Sequence, residues 1–201
     1  MLFLGFGSGL PYILLISTST AWLRDVNVDL SYIGFFTWIT FTYTFKFAWA
    51  PLVDRFSIPF LAQYGHRKSW IAFMQILIFL SLLFISNIDP IENFILFCMV
   101  GATIAFAGSI QDIAIDAFRI EYAHISDQGN LAASYQLGYR LAIIAATSIA
   151  LIFADINGWS MTFKLMAGLM CLGLLGVIFS KEEKNKELGK LNFINSIVEP
   201  L

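Results

Sequence analysis

Apolar residues run along this chain in long unbroken stretches rather than in strict alternation or in one-sided helical stripes, and that pattern constrains every later inference. Six stretches, residues 2–22, 30–53, 70–88, 91–118, 131–154 and 162–179, meet or approach the roughly 20 apolar residues that cross a hydrocarbon core of about 30 Å as a helix. The connections are mostly short, as between antiparallel neighbours. No Lys or Arg precedes the first stretch, which is also longer than a signal-peptide core, so it is expected to stay in the mature protein. Residues 1–180 are therefore expected to form one domain, a six-transmembrane-helix bundle in an all-α membrane protein. Residues 181–201 begin with a Lys/Glu-rich run and are expected to be a charged cytoplasmic linker, turning apolar again from Phe193.

Composition agrees with a bilayer environment: 13% of residues are charged, where a soluble domain carries about 25%. The net charge of -2, with no basic patch interleaved with base-stacking aromatics, excludes nucleic acid as a partner. Cys98 and Cys171 lie inside apolar runs and are expected to be small buried hydrophobes; neither a metal site nor a cofactor is implied. The connections after the second, fourth and sixth stretches hold eight Lys and Arg residues, and those after the first, third and fifth hold Arg24 and Lys164 alone. That asymmetry predicts both termini in the cytoplasm.

The remaining charges are few and badly placed for lipid. The fourth stretch carries no charge from Phe94 to Ile110 and then reads Gln111-Asp112-Ile113-Ala114-Ile115-Asp116-Ala117-Phe118-Arg119. At helical spacing Gly101, Ala105, Gly108, Asp112, Asp116 and Arg119 share one face. Ionised groups facing hydrocarbon are costly, so this face is expected to line a polar path. Lys46 stands about eight residues from the cytoplasmic end of the second stretch, roughly 12 Å deep at 1.5 Å per residue. It either snorkels part-way or is buried with a partner. Thr42 and Trp49 share its face and Trp38 lies two turns away, which suggests a binding wall. In the fifth stretch Arg140 lies about nine residues in, with Gln136 one turn below. An arginine stays charged and must be paired or hydrated, here either by Asp112 or Asp116 or by a substrate.

Lys46, Asp112, Asp116 and Arg140 sum to zero charge, a set stable as internal pairs. Protonating one Asp would free a cation to hold an anionic solute. Burial favours a neutral carboxyl and a basic neighbour favours the ionised form, so the deeper Asp112 is the candidate proton switch. Gln111, Gln136 and Trp49 complete the expected substrate and proton pathway. Asp116 and Arg119, nearer the interface, are expected to partner Arg55 and the basic loop, and Asp54, Arg55, Arg67 and Arg119 to hold a cytoplasmic gate. The glycines at 5, 7, 9, 168, 173 and 176 are expected to serve helix packing.

The loop containing Asp54-Arg55 and Gly65-His66-Arg67-Lys68 resembles the signature loop of major facilitator superfamily transporters, with Ala50 where that pattern opens on Gly and about seven extra residues. Ser8-Gly9-Leu10-Pro11, Ala21-Trp22-Leu23-Arg24, the run from Phe45 through Lys46, Trp49, Ala50 and Pro51 to Arg55, Gln111-Asp112-Ile113-Ala114-Ile115-Asp116-Ala117 and Leu137-Gly138-Tyr139-Arg140 together resemble the AmpG muropeptide permeases. Acetyl-coenzyme A transporters share parts of the pattern. The resemblance implies a bacterial inner-membrane symporter that imports anhydromuropeptides with protons for cell-wall recycling. It also implies a fold that is one half of a twelve-helix architecture with substrate held between two halves. One half cannot rock against itself. The chain is therefore expected to be a truncated product, or to be completed by a second six-helix polypeptide or a second copy. A six-helix protein serving assembly alone is the rival reading. An intramembrane enzyme is disfavoured, because Asp112 and Asp116 share one helix and neither His66 nor His124 has a ligand-spaced partner.

Overall fold

Backbone polar groups inside a bilayer must be satisfied within the segment, and the described residues meet that condition with helices alone. The computed structural model describes residues 1–56, 58, 65–122 and 126–180, among which there is no strand. The expected linker over 181–201 and His124 lie outside the described residues. Among the described residues, five helices are long and apolar enough to cross a membrane: α1 (Leu2–Asp25), α4 (His66–Ile85), the long helix α5 (Phe94–Tyr122), α6 (Gln128–Asn157) and α7 (Trp159–Phe179). Between α1 and α4 the expected second span is broken. Helix α2 (Leu30–Thr37) tightens into a 3₁₀ turn over Trp38–Thr40 and resumes over Phe41–Thr44; Phe45 then leaves helical geometry, and α3 (Lys46–Arg55) begins.

The cause of the break is local. Thr37, Thr40 and Thr42 each donate a side-chain hydrogen bond to the carbonyl three residues back, that of Gly34, Thr37 and Ile39, at 2.6, 2.7 and 2.8 Å. Threonine hydroxyls that occupy these carbonyls compete with the regular ladder and draw the chain toward the tighter turn. Two of the long helices carry the opposite distortion. In α1, Pro11 withholds one ladder donor and a wide π turn follows over Leu14–Thr18; α6 widens in the same way over Ala145–Ile149. The two wide turns meet, and the Thr18 hydroxyl donates to the carbonyl of Ala146.

Helix α1 is the hub, packed against α6 on one side, α7 on another and α5 along a narrower seam; α4 lies against α5 and α7. α2 and α3 rest mainly on α5, and of the eight residues Leu30–Thr37 only Phe36 is buried. Near the end of α1 an aromatic cluster fixes the corner: Trp22 stands 5.3 Å from Phe97, 5.1 Å from Phe163 and stacks on Trp159 at 6.2 Å. The outer surface is apolar, as lipid requires; along α4, Phe73, Ile76, Leu80 and Phe84 form one exposed stripe. Cys98 is half-buried and Cys171 is exposed, so the expected burial of both is corrected: the outward side of α7 is where Cys171 falls. Gly158, at φ 81°, ends α6 and opens α7 without an intervening loop.

Candidate functional site

The break at Phe45 decides what faces inward. By turning the backbone between α2 and α3 it sets Lys46 on the first turn of α3, beside the Thr40-to-Thr44 segment rather than a full helical stack away from it. A cleft of about 420 Å³ opens there, lined by Tyr12 of α1, Thr40, Phe41, Tyr43 and Thr44 of the α2 continuation, Lys46, Asp112 of α5 and Tyr139 of α6. Tyr12 meets Tyr43 edge-on at 4.8 Å, and Tyr135 stands 6.4 Å from Tyr139. Gly108 is what admits the Tyr43 ring: a Cβ there would lie 2.0 Å from its hydroxyl oxygen.

Asp112 of α5 is held from α1 and, through it, from α6. The Ser8 hydroxyl of α1 donates to Asp112 Oδ1 at 2.5 Å, and the same Ser8 oxygen is 2.7 Å from the Tyr135 hydroxyl of α6. An ionised carboxylate only accepts, so Ser8 spends its one hydrogen on Asp112 and takes Tyr135's in return. The chain of bonds thus runs Tyr135 to Ser8 to Asp112. One turn further along α5, Asp116 lies 3.9 Å from Lys46 Nζ and 3.4 Å from an Arg119 nitrogen. These partners are 40% and 48% exposed at the closer-to-cleft pair, which makes a loose, rearrangeable contact rather than a stability element. The Arg119 guanidinium also sits 5.5 Å from the centre of the Tyr135 ring. Two cations and two carboxylates therefore balance at the cleft and its rim, with Arg119 as the second cation.

Several expected residues fall elsewhere. Arg140 and Gln136 are exposed, neither lines the cleft, and Arg140 has no ion pair among the described residues. The reason is the approach of α6 to α1, which turns Tyr135 and Tyr139 inward and leaves Arg140 a third of a turn round the helix; the carboxylates offered to it are held by Ser8, Lys46 and Arg119. Trp49 is also displaced: its ring packs edge-on against Phe106 at 5.0 Å, away from the cleft lining. Gln111 is fully buried on a different face of α5. Of the expected pathway, the structure brings together Lys46, Asp112 and Asp116.

Nearer the connection between α3 and α4 the charges fall into two groups. Asp116 and Arg119 engage Lys46 and each other, whereas Arg67 bridges Asp54 at 2.6 Å and Glu121 at 2.9 Å. Arg67 is 6% exposed, and its fork joins the ends of α3, α4 and α5. His66 Nε2 lies 2.8 Å from the Val53 carbonyl, and the Trp70 indole donates to the Phe56 carbonyl at 2.6 Å, closing the same corner. Arg67→Ala would leave two half-exposed carboxylates facing an empty site. It is expected to lower stability by about 2 kcal/mol, after allowance for solvent screening of the carboxylates, read as a fall in the unfolding midpoint in detergent.

Glu121 went unnoticed in the sequence although it is the next carboxylate after Arg119 on the same helix. Tyr12, Tyr43 and Tyr135 carry no sequence motif that marks them, and Ser8 and Tyr139 stand in motifs that assign them no role. The available signal was spacing: Ser8 and Tyr12, and Tyr135 and Tyr139, are each four residues apart, one face of a helix.

Comparison with known proteins gives a match to the family model described as Major Facilitator Superfamily over residues 1–195. The chain is 35% identical to the anhydromuropeptide permease of Escherichia coli K12 over 183 residues, 90% of this chain and 37% of that protein. It is 34% identical to the putative transporter AmpG 4 of Rickettsia conorii over 194 residues, 96% of this chain and 47% of that protein. An uncharacterized protein of Haemophilus influenzae is 32% identical over 94% of this chain and 44% of its own length. The chain spans about half the length of the curated relatives it matches, or less.

Proposed function

We propose that this chain, which belongs to the major facilitator superfamily, supplies a six-helix half of a permease that carries a small anionic, muropeptide-like solute inward together with protons. The observation that carries the reading is the cleft: one lysine, one part-buried aspartate and three tyrosines converge in it from α1, the α2 continuation, α3, α5 and α6. Tyrosine faces suit the apolar faces of sugar rings, and an ammonium suits a lactyl or peptide carboxylate. Asp112, held by Ser8 and Tyr135, is the proton carrier. When it takes a proton it no longer counters the nearby cations, and Lys46, only loosely held by Asp116, is released to the solute. Arg67, with Asp54 and Glu121, closes the cytoplasmic end; Arg55 and Arg119 belong to the same rim.

Two further features belong to this reading. Arg140 and Gln136 are exposed near the middle of a 30-residue span, where lipid is a poor neighbour for a guanidinium. That face is therefore the one covered by a second six-helix unit, either a separate polypeptide or a second copy, with solute between the two. Residues 1–180 form the transmembrane unit and 181–201 a cytoplasmic linker toward the second. The Lys and Arg distribution supports cytoplasmic termini in a bacterial inner membrane.

The test is uptake of radiolabelled anhydromuropeptide by vesicles containing this chain under an inward proton gradient. Background uptake, with the chain folded and present, would contradict completion by a second copy, and failure of the folded chain to bind the labelled solute as well would contradict the permease reading. Within it, Lys46→Gln is expected to raise the half-saturating concentration about 10- to 100-fold, the equivalent of one charge-assisted hydrogen bond, and Lys46→Arg to recover part of the loss.

A further inference from the structure

The bundle contains a second polar site, on another face of α5 and outside the cleft. Gln75 of α4 and Gln111 of α5 are both 0% exposed. Neither the oxygen nor the nitrogen of either carboxamide has a hydrogen-bond partner among the described residues. Both amide nitrogens converge on Gly7 of α1, where a Cβ would stand 2.9 Å from Gln75 Nε2 and 3.7 Å from Gln111 Nε2. Gly173 of α7 closes the other side: a Cβ there would lie 2.7 Å from Gln75 Nε2 and 3.2 Å from Gly7 Cα. Two glycines and two carboxamides thus meet where α1, α4, α5 and α7 come together.

A carboxamide brings two donors and one acceptor oxygen, and at 0% exposure neither of these side chains touches bulk solvent. Neighbouring turns of α4 solve the same packing task with Ile71 and Ile78, both buried and apolar. Glutamine at 75 gives up that solution, and Gln111 does the same on the facing helix. Unmet amides are destabilising, whereas two of them aimed at a point where both adjoining residues lack a side chain provide the polar partners that a buried water requires.

We propose that Gln75 and Gln111 bind water inside the bundle, beside Gly7, on which both of their amide nitrogens converge. The water accepts from one N–H of each carboxamide and returns its hydrogens to their oxygens. It joins α1, α4, α5 and α7 through bonds that can be exchanged, rather than through interlocked side chains. Its position is informative: the residues that follow Gly7 and Gln111 are Ser8 and Asp112, themselves bonded at 2.5 Å. One side of the α1–α5 crossing therefore holds the carboxylate and the other holds water. The inference does not depend on the transport reading.

The experiment is proton-detected NMR of the uniformly ¹⁵N-labelled chain in lipid nanodiscs, with the glutamine side-chain amides assigned through the backbone so that no variant need fold. Magnetisation transfer at short mixing times is expected between the water frequency and the carboxamide protons of both Gln75 and Gln111, with none to the backbone amide of Ile78 one turn away. In Gly7→Ala, whose methyl would stand 2.9 Å from Gln75 Nε2 and crowd the point where the two amides converge, both water cross-peaks are expected to vanish while the carboxamide signals remain. Cross-peaks from the two carboxamides only to each other or to aliphatic protons in the unaltered chain would overturn the proposal, whatever the behaviour of the variant.

Discussion

Vesicles containing Asp112→Asn are expected to lose proton-driven accumulation of solute altogether while still equilibrating it. Asparagine keeps the shape of the side chain and an oxygen that accepts from Ser8, so the Tyr135–Ser8 chain and the fold survive. It cannot take up and release a proton, so the gradient no longer pulls on the solute. With an imposed pH difference of about two units and one proton per solute, coupled transport sustains a concentration ratio of about 100, at 1.4 kcal/mol per factor of ten; the variant should reach a ratio of about one. Ser8→Ala and Tyr135→Phe should fall between these limits, because each loosens the carboxylate without removing it. Measurement of the steady-state ratio with and without a protonophore decides the matter, and an unchanged protonophore-sensitive ratio in Asp112→Asn would show that the proton is carried elsewhere.

Gly138→Ala is the substitution expected to disturb the fold most. A Cβ at Gly138 would stand 2.0 Å from the Leu2 carbonyl oxygen, and one at Gly5 would stand 2.1 Å from the Tyr135 carbonyl oxygen. Both obstacles are backbone, so nothing can swing aside and α1 and α6 must part. That separation undoes the contact which turns Tyr135 and Tyr139 toward Asp112, so stability and site geometry are lost together. The expected loss is about 3 kcal/mol, the upper range for overpacking a close interface. Gly168→Ala, on α7 with nothing within 4 Å of the added methyl, is the control. It should hold or raise the unfolding midpoint, since alanine in a helix interior is favoured over glycine by about 0.5–1 kcal/mol. A Gly138→Ala protein as stable as the Gly168→Ala protein would mean that α1 and α6 do not approach this closely.

The contrast between these sites shows what the sequence could convey. Spans were legible because a bilayer makes length and apolarity sufficient, and α1, α4, α5, α6 and α7 lie within a few residues of the expected stretches. The polar face of α5 was legible for a similar reason: Gly101, Gly108, Asp112 and Asp116 recur at helical spacing, and they do meet Phe36, Tyr43, Ser8 and Lys46. The break before Lys46 was not anticipated. Its signal, a threonine at 37, 40, 42 and 44, is a weak local preference that span length concealed. Arg140 stands outside the cleft because the face that α6 presents to α1 is set by close backbone approaches, Gly5 against Tyr135 and Gly138 against Leu2, between residues far apart in the chain. The tyrosines were missed for want of contrast: at 16% aromatic residues, no single ring stands out. Charge marks Arg140 in the sequence, while its neighbour Tyr139 lines the cleft.

A cysteine placed at Thr44, in a chain whose Cys98 and Cys171 are serine, tests most directly whether this cleft receives an anion. With Lys46 beside it, the new thiol should react several-fold faster with a membrane-impermeant anionic reagent than with a neutral one of equal size, Lys46→Gln should erase the difference, and anhydromuropeptide should protect the thiol from both. Equal rates for the two reagents, or no protection by an anionic solute at saturating concentration, would contradict the account.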